Sequence, residues 1–169
     1  MQTHPLTTSS TAKLTRKLKQ LKLINPVILC IGANSVASDR LGPTVGALIN
    51  AKMKRPLTVY GMGKCAITAQ HLQATYDFVR AMHPCQPLIV VDSAVGGTEQ
   101  IGKIQLLPYG LHAGKATGKR FQPMGDVSII GIVANKNMED FYSNTLAIHQ
   151  RVDALAHQIA HAIMRAVKL

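Results

Sequence analysis

Apolar residues fall into two patterns along this chain. Dense short runs occupy 27–31 (VILCI), 88–91 (LIVV) and 127–133 (VSIIGIV). They are short for helices and too uniformly apolar for a strand with one wet face, so they predict strands buried on both faces of a sheet. Between and after them, apolar residues recur at helical spacing. Val45, Leu48 and Ile49 follow Pro43, Leu72, Tyr76 and Val79 lie within 68–82, and Val152, Leu155, Ile159, Ile163 and Val167 run toward the carboxyl end. Each set covers one face of a helix; Pro43 suits a first turn, and His83-Pro84 stops the second helix. Residues 57–60 predict a further short strand, and GKIQLLP at 102–108 predicts a strand at a sheet edge, closed by Pro108.

Strands alternating with helices predict a three-layer α/β/α sandwich around a mostly parallel sheet. Chemistry in such domains gathers in the loops beyond the carboxyl ends of the strands. The polar stretch 1–10 (MQTHPLTTSS) reads as disordered, and the folded α/β domain is expected to span 25–169, starting near Asn25-Pro26. Residues 1–24 then form a basic extension, partly disordered or helical. The last 32 residues, from about Met138, are expected to hold one long helix covering the sheet.

Composition narrows this picture. A chain of 169 residues suits one core. No apolar run approaches the ~18 residues of a membrane span, and no charged start followed by an apolar stretch marks a secretory signal, so a cytoplasmic location is expected. Cys30, Cys65 and Cys85 form no CxxC pattern, which argues against a disulfide framework or a cysteine zinc site; Cys30, inside an apolar run, reads as a core hydrophobe. Nineteen Lys and Arg against eight Asp and Glu leave a net charge of +11, which favours acidic partners. Lys13, Arg16, Lys17, Lys19 and Lys22 precede the domain with no acid among them, beside Leu14, Leu18 and Leu21 on one helical face. Such a segment either touches nucleic acid or anionic membrane, or packs its leucines on the domain.

Three of the eight acids stand in loops beside expected core strands: Asp39 after the first, Asp92 at the end of LIVVD, and Asp126 before VSIIGIV. If the strands ending near 31 and 91 are neighbours, Asp39 and Asp92 share one crevice, where two carboxylates cannot both ionise easily; one keeps a proton and the other can activate water. Asp126, in a Gly-Asp pair before a strand, reads first as a turn device. The basic loop GLHAGKATGKR, which holds His112 and Lys115, either contacts an anion or substrate or is simply solvated. His157 and His161 have the i, i+4 spacing of zinc ligands but lack the glutamate of HExxH, and Gly32 and Gly42 make no GxGxxG fingerprint. No cofactor is expected.

Taken in order, VILCIGANSVASDRLGPTVG, LTVYG, LIVVDSAVGG, GKIQLLP and PMGDVSIIGIVAN followed by Asn144-Thr145 resemble the YyaC-type sporulation protein family, relatives of the spore germination protease. The resemblance implies a phosphorylase/hydrolase-like fold and an aspartic-type endopeptidase acting on small acid-soluble spore proteins. Asp39 in DRLGP is similar to the first catalytic aspartate of that protease, Asp92 in VVDS to the second, and YGLHAGKATGKR to a loop that brings His112 into the catalytic set. Lys115 and Asp126 are then candidates for substrate binding. The hydrogenase maturation proteases share this fold and place two carboxylates and a histidine around nickel, which implies Asp39, Asp92 and His112 as an alternative metal trio. Ser93 and Ala113 depart from the residues expected after the second aspartate and after the histidine. The expected partners are a protein or peptide substrate, an anionic partner for the basic segment, and, left open, a second copy of the chain. The competing reading is a catalytically silent relative that binds peptide, nucleic acid or another anion; the GLGNPG opening of the similarly layered peptidyl-tRNA hydrolases is missing.

Overall fold

A computed structural model describes residues 4–53, 57–112, 122–136 and 142–167. The first two buried runs form adjacent parallel strands, β2 (Val27–Cys30) and β4 (Leu88–Gly96), paired from Val27↔Leu88 to Cys30↔Val91. Their side chains alternate between two cores. Ile28, Cys30, Ile89 and Val91 face one, and Val27, Leu29, Leu88 and Val90 face the other. This is why both runs are apolar throughout: each strand has a helical layer on either side. With β1 (Leu6–Thr8), β3 (Val59–Tyr60), β5 (Ile104–Leu107) and β6 (Val127–Asn135), they make a six-stranded sheet in the order β1-β5-β6-β4-β2-β3. Strands β2, β3, β4 and β6 are parallel, and β5 is antiparallel to both of its neighbours.

Helices α1 (Thr11–Gln20), α2 (Leu41–Lys52) and α4 (Leu146–Ala166) bury their apolar stripes in the first core, and α3 (Leu72–Met82) puts Leu72 and Val79 in the second. The layers are therefore α/β/α, as the alternation of elements requires. Cys30 behaves as the core hydrophobe expected: it is fully buried, and burial pushes its thiol up to about 12. Cys65 and Cys85 are exposed and free.

The amino-terminal segment differs from expectation. The folded structure starts before residue 25, because β1 pairs with β5 from Leu6↔Leu106 to Thr8↔Ile104, and α1 buries Leu14 and Leu18 to 0% and 1% exposure. Ser10 caps α1 by accepting from the Lys13 N–H at 3.4 Å. The strand predicted at an edge, β5, is consequently interior, with β1 outside it. Three residues with one apolar side chain carry no strand pattern of their own; β1 exists because β5 offers an unpaired edge. The last helix begins at Leu146, later than expected, where the Thr145 side chain accepts from Ile148 N–H. Among the described residues no helix is long and apolar enough to cross a membrane.

Candidate active site

From β2 the chain proceeds through α2 to β3 on one side, then through α3 to β4 on the other side of β2. The order reverses between β2 and β4, and crevices for chemistry in open α/β sheets open at the carboxyl ends of such strands. Asp39 and Asp92 lie there. Strand β2 ends level with Val91, while β4 runs five residues further, paired only with β6 from Asp92 onward. Beside the edge of β4 that β2 leaves open stands the 3-10 turn Ala37–Arg40, which touches β4 through Asp39 and Ser93.

Two glycines hold that turn against the strand end. A Cβ on Gly32, whose φ is +145°, would collide with the backbone carbonyl of Asp39, and one on Gly42 with that of Ile31. Only glycine lets the two backbones approach so closely. This contact sets the depth at which Asp39 enters.

Ser93 touches both carboxyls. Its N–H donates to Asp92 Oδ1 at 2.8 Å, and its Oγ donates to Asp39 Oδ1 at 3.5 Å. By strand alternation Asp92 shares a face with Val90 and Ser93 shares the opposite face with Val91, so the two acids are coupled around the open edge of β4. Asp39 is half-buried, and desolvation raises its pKa against hydrogen bonds from Ala33 and Ser93. Asp92 keeps some exposure as a residue, but its carboxyl lies deep enough for desolvation to be the largest influence. With repulsion from Asp39 added, and only the Ser93 N–H opposing, its pKa rises from 3.8 to about 7. A pair of this kind titrates as a unit and holds one proton near neutrality.

Next to Asp39, Arg40 reaches across to α4 and pairs with Asp153 at 2.7 Å, while its Nε is buried without a hydrogen-bond partner. The sequence reading missed Arg40. An arginine directly after a candidate catalytic acid is a signal, but its partner lies 113 residues away.

The other candidates do not join the pair. The β5–β6 ladder continues in register from Leu107↔Ser128 to Leu111↔Met124, away from the level of Asp92, which pairs with Ile130 and through it with Gln105. His112 is thus seven positions past Gln105, roughly 20 Å toward the opposite end of the sheet at the usual strand rise. Asp126 is at that end too. Its carboxylate accepts from Leu88 N–H at 2.8 Å and from both Arg80 terminal nitrogens at 3.1 Å. Burial opposes its charge, yet Arg80 and Leu88 outweigh that and hold its pKa below the usual value. Asp126 therefore fastens α3 to the start of β4. Lys115 lies outside the described residues. Among the described residues, no group of three His, Cys, Asp or Glu side chains is arranged to hold a metal ion. The trio implied by the resemblance does not fit a nickel-type site.

These features can be set against known proteins. The chain is 26% identical over 116 residues to the protein described as Uncharacterized protein YyaC of Bacillus subtilis (strain 168), an overlap covering 69% of this chain and 57% of that protein's length. In fold it is similar to the crystal structure of a [NiFe] hydrogenase maturation protease, HycI, from Thermococcus kodakarensis KOD1. The TM-score is 0.55 at 19% identity, covering 86% of this chain and 97% of that one. That likeness establishes a shared α/β fold. The family described as Protein of unknown function (DUF1256) matches residues 4–163, from the first described residue into the last helix, and the chain belongs to that family.

Proposed function

We propose that this chain is an aspartic-type endopeptidase in which Asp39 and Asp92 act together on a water molecule and a peptide carbonyl. The observation that carries the reading is the coupling of two desolvated carboxyls through Ser93 at the topological switch point. Asp92, with a pKa raised to about 7, supplies the proton, and Asp39 accepts one. The water oxygen attacks the carbonyl carbon as its proton passes to Asp39, and the Asp92 proton goes to the carbonyl oxygen. The resulting diol collapses when the amide nitrogen takes a proton from Asp39 and the C–N bond breaks; the proton on oxygen returns to Asp92, leaving a free carboxyl and a free amine. The fold likeness to a protein described as a maturation protease supports a protein substrate, and the resemblance to the germination protease makes small acid-soluble spore proteins the first to test.

The test is incubation of the chain with such a spore protein and with a peptide library, read by mass spectrometry at pH 6 to 8. Cleavage by the wild type, lost in both Asp39→Asn and Asp92→Asn with folding retained, is expected. Cleavage should weaken above pH 7, where Asp92 gives up its proton. Absence of wild-type cleavage, or cleavage that survives either substitution, would overturn the proposal.

A further inference from the structure

Away from the two aspartates, one face of α1 and one face of α4 enclose an open groove lined by Arg16 and Lys19 on one side and His161 and Arg165 on the other. A second depression, sharing Thr11 and His161 with the first, continues it past His157 to Lys52 at the end of α2. Neither contains Asp39 or Asp92, and no Asp or Glu lines either. The ion pairs of the described residues are Arg40–Asp153 and Arg80–Asp126, so none of these four Lys and Arg is neutralised by a carboxylate among them. All four are exposed. Along the groove the Gln158 side-chain oxygen is buried with no partner.

We infer that this groove binds nucleic acid through its phosphate backbone. Docking of α1 decides between the occupants that a basic helix invites. Leu14 and Leu18 are spent in the core and Leu21 packs against it, so α1 has no apolar face to insert into a bilayer. What it leaves outside is cationic, and Lys13 and Lys22 are exposed near it as well. A row of like charges with no acid interspersed matches a ligand of uniform negative charge better than a protein surface of mixed sign. No Phe, Tyr or Trp lines the groove to stack bases, and its Lys and Arg side chains point to sequence-independent contact with phosphates. The inference does not rest on the peptidase reading.

The experiment is fluorescence anisotropy of a mixed-sequence 20-base-pair DNA duplex titrated with the full chain between 50 and 200 mM salt. Four phosphate contacts predict a slope of log K against log salt of about −3 to −4. Arg16→Gln with Arg165→Gln should weaken binding at least tenfold and reduce the slope by about 2, while Lys64→Gln with Lys136→Gln, which removes as much charge elsewhere, should change it less than threefold. A charge-reversed Lys19→Glu variant, shown to be folded by its melt, should bind at least as weakly as the groove pair. Equal losses in the groove and control pairs would overturn the groove. So would absence of duplex binding at 50 mM salt, displacement of the duplex by polyglutamate at equal charge, or binding to phosphatidylserine vesicles without binding to duplex.

Discussion

Replacing Asp92 by Asn should stabilise the protein above neutral pH and do little for it in acid. The Asp92 pKa rises from 3.8 to about 7 on folding, so between those values the folded chain holds a proton that the unfolded chain has released. Stability therefore falls as pH rises through this window, and the loss is complete above about pH 7. At about 1.36 kcal/mol per pKa unit the ceiling is ~4 kcal/mol. The Ser93 N–H remains bonded to the ionised group and the residue keeps some contact with solvent, so roughly 1–2 kcal/mol is expected. For a chain of this size that corresponds to about 2–8 °C in Tm. Asparagine carries no such penalty. Thermal melts of wild type and Asp92→Asn from pH 4 to 8.5 should show a Tm difference that grows in favour of the variant and levels off above pH 7. A difference that stays flat across that range, or a variant that loses ground as pH rises, would refute the reasoning.

Other consequences follow from neighbouring contacts. Gly42→Ala forces a methyl into the Ile31 carbonyl and should cost about 1–3 kcal/mol or more by overpacking; it should also lower the Asp92 titration midpoint, because the turn bearing Asp39 must move away. Asp126→Ala leaves the Leu88 N–H without its acceptor and should cost ~1–3 kcal/mol in urea unfolding while leaving peptide cleavage unchanged. The Asp126 pKa is depressed, so its contribution is present in full above pH 3.8 and is lost as pH falls below that value through the lower pKa of the folded state, the reverse of Asp92.

The doubly buried strands, the helices between them and the pair Asp39 and Asp92 were legible because each is written in local sequence: an apolar run, a helical stripe, an acid next to a strand end. Adjacency of β2 and β4, the condition on which the pair depended, holds in the structure. What was not legible depends on distant pairing. The strand nature of Leu6–Thr8 comes from a partner about 100 residues away, and the partner of Asp126, in the turn before β6, is Arg80 on helix α3. His112 looked like a member of the site because it shares a glycine-rich loop with basic residues. Its position is decided by the β5–β6 register, which carries it to the far end of the sheet, and one sequence does not encode which end of a hairpin a loop will reach. The basic segment packs its leucines on the domain, and that packing is what turns its lysines outward.

The central claim is that Asp39 and Asp92 form one coupled acid, and carboxyl-carbon NMR of aspartate-labelled protein tests it most directly. Titration of the wild type should show Asp92 with an apparent midpoint near 7, and Asp39→Asn should move that midpoint down while leaving it above 3.8, because desolvation persists when the repulsion is removed. An Asp92 midpoint near 3.8 in the wild type, or one that does not respond to Asp39→Asn, would contradict the account.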